Sequence, residues 1–209
     1  MMLLIIPIAT AGSMVLSAEI LATAEEKNGP MAKNRLLAWQ TLVNKNKGEP
    51  ELVKLRLVNE FFNQVSYSPD QDQWGQRNYW ATPVDFLIAN AGDCEDFALA
   101  KYYTLVQLGV PTNKLRLTYV KSLRLNQAHM VLTYYETPGE EPFILDNLQK
   151  RISYASERGD LQPVYSFNGD GLWITKDLAN KRSGKAVGEG NKMTLWLDWR
   201  KRMQQVGLD

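Results

Sequence analysis

Residues 93–111 contain a helix start, a helix body and a helix stop in succession, and this segment constrains the fold more than any other. Asp93 is a favoured N-cap residue, while Gly109 and Pro111 end the helical pattern. The apolar residues between them recur at helical spacing and predict a buried helix: Ala98, Ala100, Tyr102, Leu105 and Leu108. This helix would begin with Cys94 at its first position.

Short runs after this helix predict four β-strands. Residues 115–120 alternate in polarity, and residues 128–135 follow as their hairpin partner. Residues 142–147 predict a third strand after a turn at Pro138-Gly139, and a fourth is expected near residues 171–174. A buried helix followed by strands on short turns favours an α+β domain with an antiparallel sheet.

Helices are also predicted before this unit. Apolar residues recur at helical spacing in residues 35–43, and a turn at residues 48–50 ends that pattern. Pro50 is placed to open a second helix, whose apolar face consists of Leu52, Leu55, Val58, Phe61, Phe62 and Val65. Residues 66–80 predict a polar, aromatic-rich loop, and Pro83 begins a short helix. We therefore expect N-terminal helices packed on an antiparallel sheet.

The composition indicates a globular protein and argues against a nucleic-acid-binding one. The chain has 209 residues, of which 44% are hydrophobic and 22% are charged, as in an ordinary globular domain with short extensions. Lys and Arg number 24 and Asp and Glu number 23, which gives a net charge of +1. Because there is neither a basic excess nor a basic run, no nucleic acid partner is expected.

The two ends of the chain are predicted to differ from the middle. Residues 1–18 carry no charged side chain, and Ala22-Thr23-Ala24 fits a signal-peptidase site, so residues 1–24 predict a signal-like or anchor segment. A buried N-terminal helix is the alternative. Residues 25–178 predict the main domain. Residues 179–209 predict a flexible Gly/Lys-rich segment followed by an amphipathic helix, whose apolar stripe favours docking on the core. These features predict an exported protein.

The chain contains one cysteine, Cys94, and one histidine, His129, so any cysteine–histidine chemistry has its pair already chosen. A helix N-terminus favours the thiolate form of a cysteine. His129 and Asp146 lie on successive predicted strands, where antiparallel pairing would bring them together. A cysteine, a histidine and an aspartate in this arrangement can act as nucleophile, base and orienting group. Purely structural roles for these three residues remain the alternative.

Acidic residues surround the cysteine in the run Asp93-Cys94-Glu95-Asp96, and their charges disfavour a thiolate. One interpretation is that they simply complement the positive end of a helix. The other is that they bind a hard cation such as Ca²⁺, which prefers carboxylate and carbonyl oxygens. Asp70 and Asp72 in the preceding loop could supply further oxygen ligands. The residues alone leave both interpretations open.

Several segments, in the same order, resemble the bacterial transglutaminase-like cysteine proteases, and within them the periplasmic adhesin-cleaving type. The segments are residues 78–83, 92–102, 115–121, 128–132, 145–148 and 163–168. The resemblance extends over roughly residues 39–175. One departure is Asn78, which stands where an acidic residue is expected before Tyr79-Trp80. The resemblance implies a papain-like, transglutaminase-like core.

The resemblance also implies roles for the central residues. Cys94 would be the nucleophile, His129 the general base and then the general acid, and Asp146 the residue that orients the histidine. It implies calcium dependence, with the ion bound by acidic residues around the nucleophile: Asp93 and Glu95, and further Asp96 and Asp72.

The implied substrate is a large secreted repeat adhesin, cut near its N-terminus at a di-alanine-type site. The implied partner is an inner-membrane receptor that sequesters the protease when cytoplasmic cyclic-di-GMP is high. Two other functions remain open from the sequence. A transglutaminase or amidase would use the same three residues for acyl transfer, and a catalytically silent, calcium-tuned binding module would not use them at all.

Overall fold

The computed structural model describes residues 12–137, 139–169, 172–174 and 190–208. The helices are α1 (Ala18–Asn28), α2 (Pro30–Lys45), α3 (Glu51–Phe62), α4 (Asp70–Trp74), α5 (Pro83–Ala89), α6 (Cys94–Gln107) and α7 (Gly190–Gln205). The strands are β1 (Ser66–Tyr67), β2 (Ala91–Gly92), β3 (Leu115–Ser122), β4 (Gln127–Tyr134), β5 (Phe143–Leu145), β6 (Ser153–Tyr154), β7 (Leu161–Phe167) and β8 (Leu172–Ile174).

A six-stranded antiparallel sheet in the order β6-β5-β4-β3-β7-β8 forms one layer of the domain. Helix α6 packs on β3 and β4, and α3 and α5 pack on α6. The indole N–H of Trp39 in α2 donates to Thr104 Oγ1 in α6 at 2.8 Å, and both side chains are fully buried. The predicted α+β class, with helices packed on an antiparallel sheet, is therefore confirmed.

Helix α6 begins as the sequence predicts, with Asp93 as its N-cap and Cys94 as its first residue. Two short elements lie within residues 66–80, where only a loop was predicted. They are β1, which pairs in parallel with β2, and the five-residue helix α4. The β1–β2 pair matters for the site because β2 ends one residue before Asp93.

Strand β7 was not predicted, because Pro163 interrupts its pattern and proline lacks the N–H that a sheet interior requires. In the structure, β7 lies between β3 and β8, and the β3–β7 register shifts between Tyr119 and Val120. Pro163 pairs with Val120 directly after this shift. A β-bulge of this kind is where a sheet tolerates proline.

The N-terminal segment packs on the domain from residue 14 onward. Met14 N–H donates to Asn44 Oδ1 at 2.8 Å, and Leu16 N–H donates to Gln40 Oε1 at 2.7 Å. Helix α1 is continuous across the predicted boundary at residues 24 and 25, with Ala24 fully buried on α2. Residues 12–17 are not helical, and Ala24 is the one buried residue of α1, so most of this helix is exposed. Residues 1–11 lie outside the described part, and signal cleavage stays a prediction.

Within the described ranges, every helix is too short or too polar to cross a lipid bilayer. At the other end of the chain, Trp196, Trp199 and Met203 of α7 are buried, so the predicted apolar stripe docks on the core. The indole N–H of Trp199 donates to Ala81 O at 3.0 Å. The Gly/Lys-rich segment before α7 lies outside the described residues.

Candidate active site

The start of α6 is fixed by reciprocal capping. Asp93 Oδ1 accepts from the Glu95 N–H at 3.0 Å, and the Asp93 N–H donates to Asp96 Oδ2 at 3.3 Å. This capping box satisfies two N–H groups that a helix start leaves unpaired. A Cβ at Gly92 would collide with the Asp96 carboxylate and would lie 2.8 Å from the Phe86 ring, so the backbone before the cysteine requires glycine.

Cys94 is partly exposed, and its sulfur lies between Glu95 and the start of β4. The thiol donates to Glu95 Oε2 at 2.7 Å, and the Met130 N–H donates to the sulfur. Glu95 Oε1 in turn accepts from the Tyr119 hydroxyl at 3.0 Å. Burial of the thiol, followed by the charges of Glu95 and Asp93, raises the pKa of Cys94 well above its usual value. The thiol is therefore protonated in this arrangement.

His129 and Asp146 form a buried pair, as their positions on neighbouring strands predict. Strands β4 and β5 pair with Leu132 opposite Leu145, and Asp146 directly follows β5. His129 Nε2 lies 2.8 Å from Asp146 Oδ1. An ionised carboxylate only accepts hydrogen bonds, so Nε2 carries the proton and Nδ1 is the other ring nitrogen. No hydrogen bond joins the Cys94 thiol to the His129 ring, although both residues are described and His129 precedes Met130.

The carboxylate of Asp146 accepts from three donors. Oδ1 also accepts from the Leu148 N–H at 3.0 Å, and Oδ2 accepts from Arg158 Nη2 at 2.8 Å. Burial alone would raise the pKa of Asp146, but the bonds from His129, Leu148 and Arg158 outweigh it and hold this pKa well below its usual range. Asp146 is thus ionised at any pH at which the protein works.

The backbone of Asp146 is held from behind by a fully buried lysine. Lys101 Nζ donates to Asn59 Oδ1 at 2.9 Å, to Asn63 Oδ1 at 2.8 Å and to Asp146 O at 3.1 Å. Asn63 Nδ2 also donates to Asp146 O at 2.9 Å. Burial lowers the pKa of Lys101 to about 7, partly opposed by the charge of Asp146. Three acceptors match the three protons of an ammonium group.

Sequence reasoning missed Arg158, Lys101 and the two asparagines. The only signal for them was Lys101, a lysine between Ala100 and Tyr102 on a helix otherwise predicted to be buried. Lysine is almost never fully buried without partners. Its position therefore indicated a polar network, but nothing in the sequence named the residues of that network.

On the other side of Cys94, three aspartates converge. One carboxylate oxygen each of Asp70, Asp93 and Asp96 lie within 4.8 Å of one another, and Asp93 belongs as well to a second group with Cys94 and Glu95. The pKa values of all three aspartates are raised, chiefly by burial and further by the charges of neighbouring acidic residues. The pKa of Asp96 rises to about 8 and that of Asp70 to about 6, and the pKa of Asp93 is also raised.

These carboxylates fit a hard cation. Asp70 Oδ1 is buried and has no hydrogen-bond partner among the described residues, so this oxygen is available to a cation. Among the described residues, no cation forms an ion pair that offsets the mutual repulsion of these carboxylates, as in a calcium site before the ion binds. Asp93, Glu95 and Asp96, three of the four predicted ligands, belong to these groups.

Asp72, the fourth predicted ligand, is exposed and lies in neither group, whereas Asp70 lies in one of them. The reason is the orientation of α4. Asp70 Oδ2 accepts from the Tyr79 N–H at 2.6 Å, which turns Asp70 toward the start of α6. Asp72, two residues later on the same short helix, points elsewhere because successive helical residues do not share a face. Calcium binding by any of these residues stays a prediction.

The family model of the bacterial transglutaminase-like cysteine proteinases matches residues 38–160, a segment that contains Cys94, His129 and Asp146. The chain belongs to this family. It therefore belongs to a family of cysteine proteases, and the resemblance noted in its sequence segments is confirmed. No curated protein sequence matches the chain.

Solved structures of LapG from Legionella pneumophila are similar to the whole domain. One is 43% identical, with a TM-score of 0.75, over 92% of this chain and 99% of that one. A calcium-bound form is 44% identical over 90% and 99%, also with a TM-score of 0.75. A form treated with EGTA is 43% identical over 92% and 100%, with a TM-score of 0.76. LapG from Legionella pneumophila is therefore known in a calcium-bound form.

Proposed function

We propose that this family member is a calcium-dependent cysteine endopeptidase with Cys94, His129 and Asp146 as its catalytic triad. The observation that supports the proposal most is the buried His129–Asp146 pair, 2.8 Å apart, beside the helix start that carries the only cysteine. An oriented histidine next to a cysteine at a helix N-terminus is the arrangement that thiol-based acyl transfer needs.

In the proposed reaction, His129 Nδ1 takes the thiol proton, because Nε2 is engaged by Asp146. The sulfur attacks the scissile carbonyl, and N–H groups at the start of α6 stabilise the oxyanion. The imidazolium then gives its proton to the leaving amine, and a thioester remains on Cys94. His129 next deprotonates a water molecule, which hydrolyses the thioester and restores the thiol.

Asp93, Asp96, Asp70 and Glu95 are the residues that would hold the calcium ion. Calcium bound there supplies positive charge next to the nucleophile. Two of the causes that raise the pKa of Cys94 are the charges of Glu95 and Asp93. Neutralising these two charges would lower the pKa of the thiol. The alternative in which these residues only complement the helix predicts no effect of calcium on activity.

The substrate we propose is a large secreted repeat adhesin, cut near its N-terminus at a di-alanine-type site in the periplasm. The proposed regulator is an inner-membrane receptor that sequesters the protease when cytoplasmic cyclic-di-GMP is high, so that adhesion and biofilm attachment persist. Support for these points comes from the segments that resemble the adhesin-cleaving type and from the signal-like N-terminus.

The test uses the full chain and an N-terminal fragment of a large repeat adhesin encoded in the same genome. We expect calcium-dependent cleavage on a gel, lost in EGTA and in Cys94→Ala, and abolished when the di-alanine of the fragment is replaced. Mg²⁺ should restore activity poorly, because it demands tighter octahedral geometry. Undiminished cleavage by folded Cys94→Ala would refute the triad, and undiminished cleavage by metal-free protein would refute calcium dependence.

A further inference from the structure

Asp146 has a partner that a cysteine–histidine–aspartate triad does not require. Arg158 Nη2 donates to Asp146 Oδ2 at 2.8 Å, while His129 engages the other oxygen, Oδ1. The side chains of Arg158 and Asp146 are 1% and 0% exposed. Burying a guanidinium is costly, so a buried arginine in this position implies tight pairing.

Arg158 is fixed by a second carboxylate on its other side. Arg158 Nε donates to Asp160 Oδ1 at 2.9 Å, and Nη2 donates to Asp160 Oδ2 at 3.0 Å. Asp160 O accepts from the Leu123 N–H at 2.8 Å, just beyond the end of β3. The guanidinium is therefore anchored to the β3–β4 hairpin, and His129 lies on β4 of that hairpin.

The charges of this chain of contacts alternate. Arg158 alone would cancel the charge of Asp146 and weaken its attraction for a protonated His129. Asp160 restores one negative charge to the group, so the three side chains together present the same net charge as a lone carboxylate. Lys101 in α6 is a further cation that reaches Asp146, through its backbone oxygen. Cys94 of the same helix accepts from the Met130 N–H, next to His129 on β4.

We propose that Arg158 is a positioning residue for the catalytic Asp146, and that Asp160 keeps the negative charge of Asp146 available to His129. The inference rests on the proposed triad. Arg158 prevents rotation of the carboxylate, so Oδ1 stays bonded to Nε2 and the orientation of the His129 ring is fixed. Catalytic groups displaced by about 1 Å can lose about 10²-fold in rate.

The first test compares Arg158→Met and Arg158→Lys with Arg151→Met, a matched control whose exposed guanidinium pairs with Glu157 at 3.1 Å. We expect Arg158→Met to lower kcat by about 10²-fold with little change in KM. Arg158→Lys should recover part of this loss, and Arg151→Met should behave as wild type. Thermal unfolding establishes that each variant is folded.

A double-mutant cycle separates positioning from a general structural role. In an Asp146→Ala background, Arg158→Met should cost almost nothing more, because it acts only through Asp146. An equal loss in both backgrounds, or an unchanged kcat in folded Arg158→Met, would overturn the proposal. If Arg158→Met does not fold, Arg158→Lys enters the same cycle.

Asp160→Asn provides a readout that packing alone does not move. It leaves the charge of Arg158 uncompensated, so the imidazolium is disfavoured and the acidic limb of kcat/KM, where the general base becomes protonated, should move to lower pH. An unmoved limb would contradict the role of Asp160.

Alkylation of Cys94 by iodoacetamide in the presence of calcium needs no adhesin. It therefore distinguishes failure of the positioning role of Arg158 from failure of the proposed adhesin cleavage. Slower alkylation in Arg158→Met supports the positioning role even if the adhesin fragment is not cleaved, and an unchanged rate contradicts it.

Discussion

The two sides of Cys94 present aspartates in opposite electrostatic surroundings. On the sheet side, Asp146 is bonded to His129 and Arg158, and its pKa lies well below the usual range. On the loop side, Asp93 has acidic neighbours, and burial together with their charges raises its pKa. Both aspartates are largely buried, so the partners account for the opposite directions.

This difference separates two kinds of site. On the sheet side, called the completed side below, the protein itself supplies the partners of Asp146. On the loop side, called the incomplete side below, the described residues supply no cationic partner for the acidic group. The sheet side contains the cations it needs, Arg158 and Lys101, within hydrogen-bond distance of Asp146. The described residues supply no cation to the group of Asp70, Asp93 and Asp96 in any ion pair. We infer that orientation of the histidine is built in, whereas activation of the thiol waits for an ion.

The largest expected effect comes from changing the completed side with Asp146→Asn. Asparagine serves as the orienting group in papain-like sites, but here both oxygens of Asp146 accept from donors. An amide would therefore turn its NH₂ toward either Arg158 or His129 and Leu148. We expect kcat to fall by about 10³–10⁴-fold, close to the loss in His129→Ala. A loss within about threefold in the gel assay would show that charge at Asp146 is dispensable.

A smaller effect is expected on the incomplete side, where Asp70→Asn is compared with Asp72→Asn. The two residues lie on the same short helix, but only Asp70 belongs to the acidic group. Titration calorimetry should show calcium affinity about 10–100-fold weaker in Asp70→Asn and unchanged in Asp72→Asn. The reverse ranking would reinstate Asp72 as the ligand and contradict the assignment of Asp70.

The sequence predicted the pairing of His129 with Asp146 better than it predicted the residues that hold Asp146 in place. The helix start, its N-cap and the position of Cys94 are local signals, and the pairing of His129 with Asp146 followed from strand order. Arg158 and Lys101 could not be predicted in the same way, because they reach Asp146 only after β5, the turn before β7 and α6 have packed. No local pattern distinguishes Arg158 from a solvated cation, and the position of Lys101 on a buried helix indicates that it has partners without naming them.

On the incomplete side, the sequence predicted the acidic character but not every member. Asp93, Glu95 and Asp96 adjoin the cysteine, so proximity in sequence was enough to name them. The choice between Asp70 and Asp72 depended on the bond from the Tyr79 N–H, a tertiary contact that composition does not reveal. Strand β7 was missed for a similar reason. Pro163 argues against a strand in the sequence, and the bulge that accommodates it is visible only in the β3–β7 pairing.

The smallest expected effect is a difference in how the stability of the two sides depends on pH. The folded-state pKa of Asp70, about 6, and that of Asp96, about 8, exceed the unfolded value of 3.8. The folded metal-free protein therefore binds more protons than the unfolded chain, and its stability falls as pH rises from about 4 toward 7. Asp146 acts oppositely, because its lowered pKa contributes stability that is lost only as pH falls below about 4.

In EGTA, Tm should therefore drop by about 5 °C or more between pH 4.5 and 7, since one pKa unit corresponds to about 1.4 kcal/mol and each kcal/mol to about 2–4 °C here. The window ends at pH 7 because the lowered pKa of Lys101, about 7, makes stability rise above it. Saturating calcium should remove the drop, and Asp70→Asn should reduce it, whereas Asp72→Asn should leave it intact. A metal-free Tm that is flat or rising across this window would mean that the acidic group is already neutralised within the protein, and the contrast between the two sides of Cys94 would disappear.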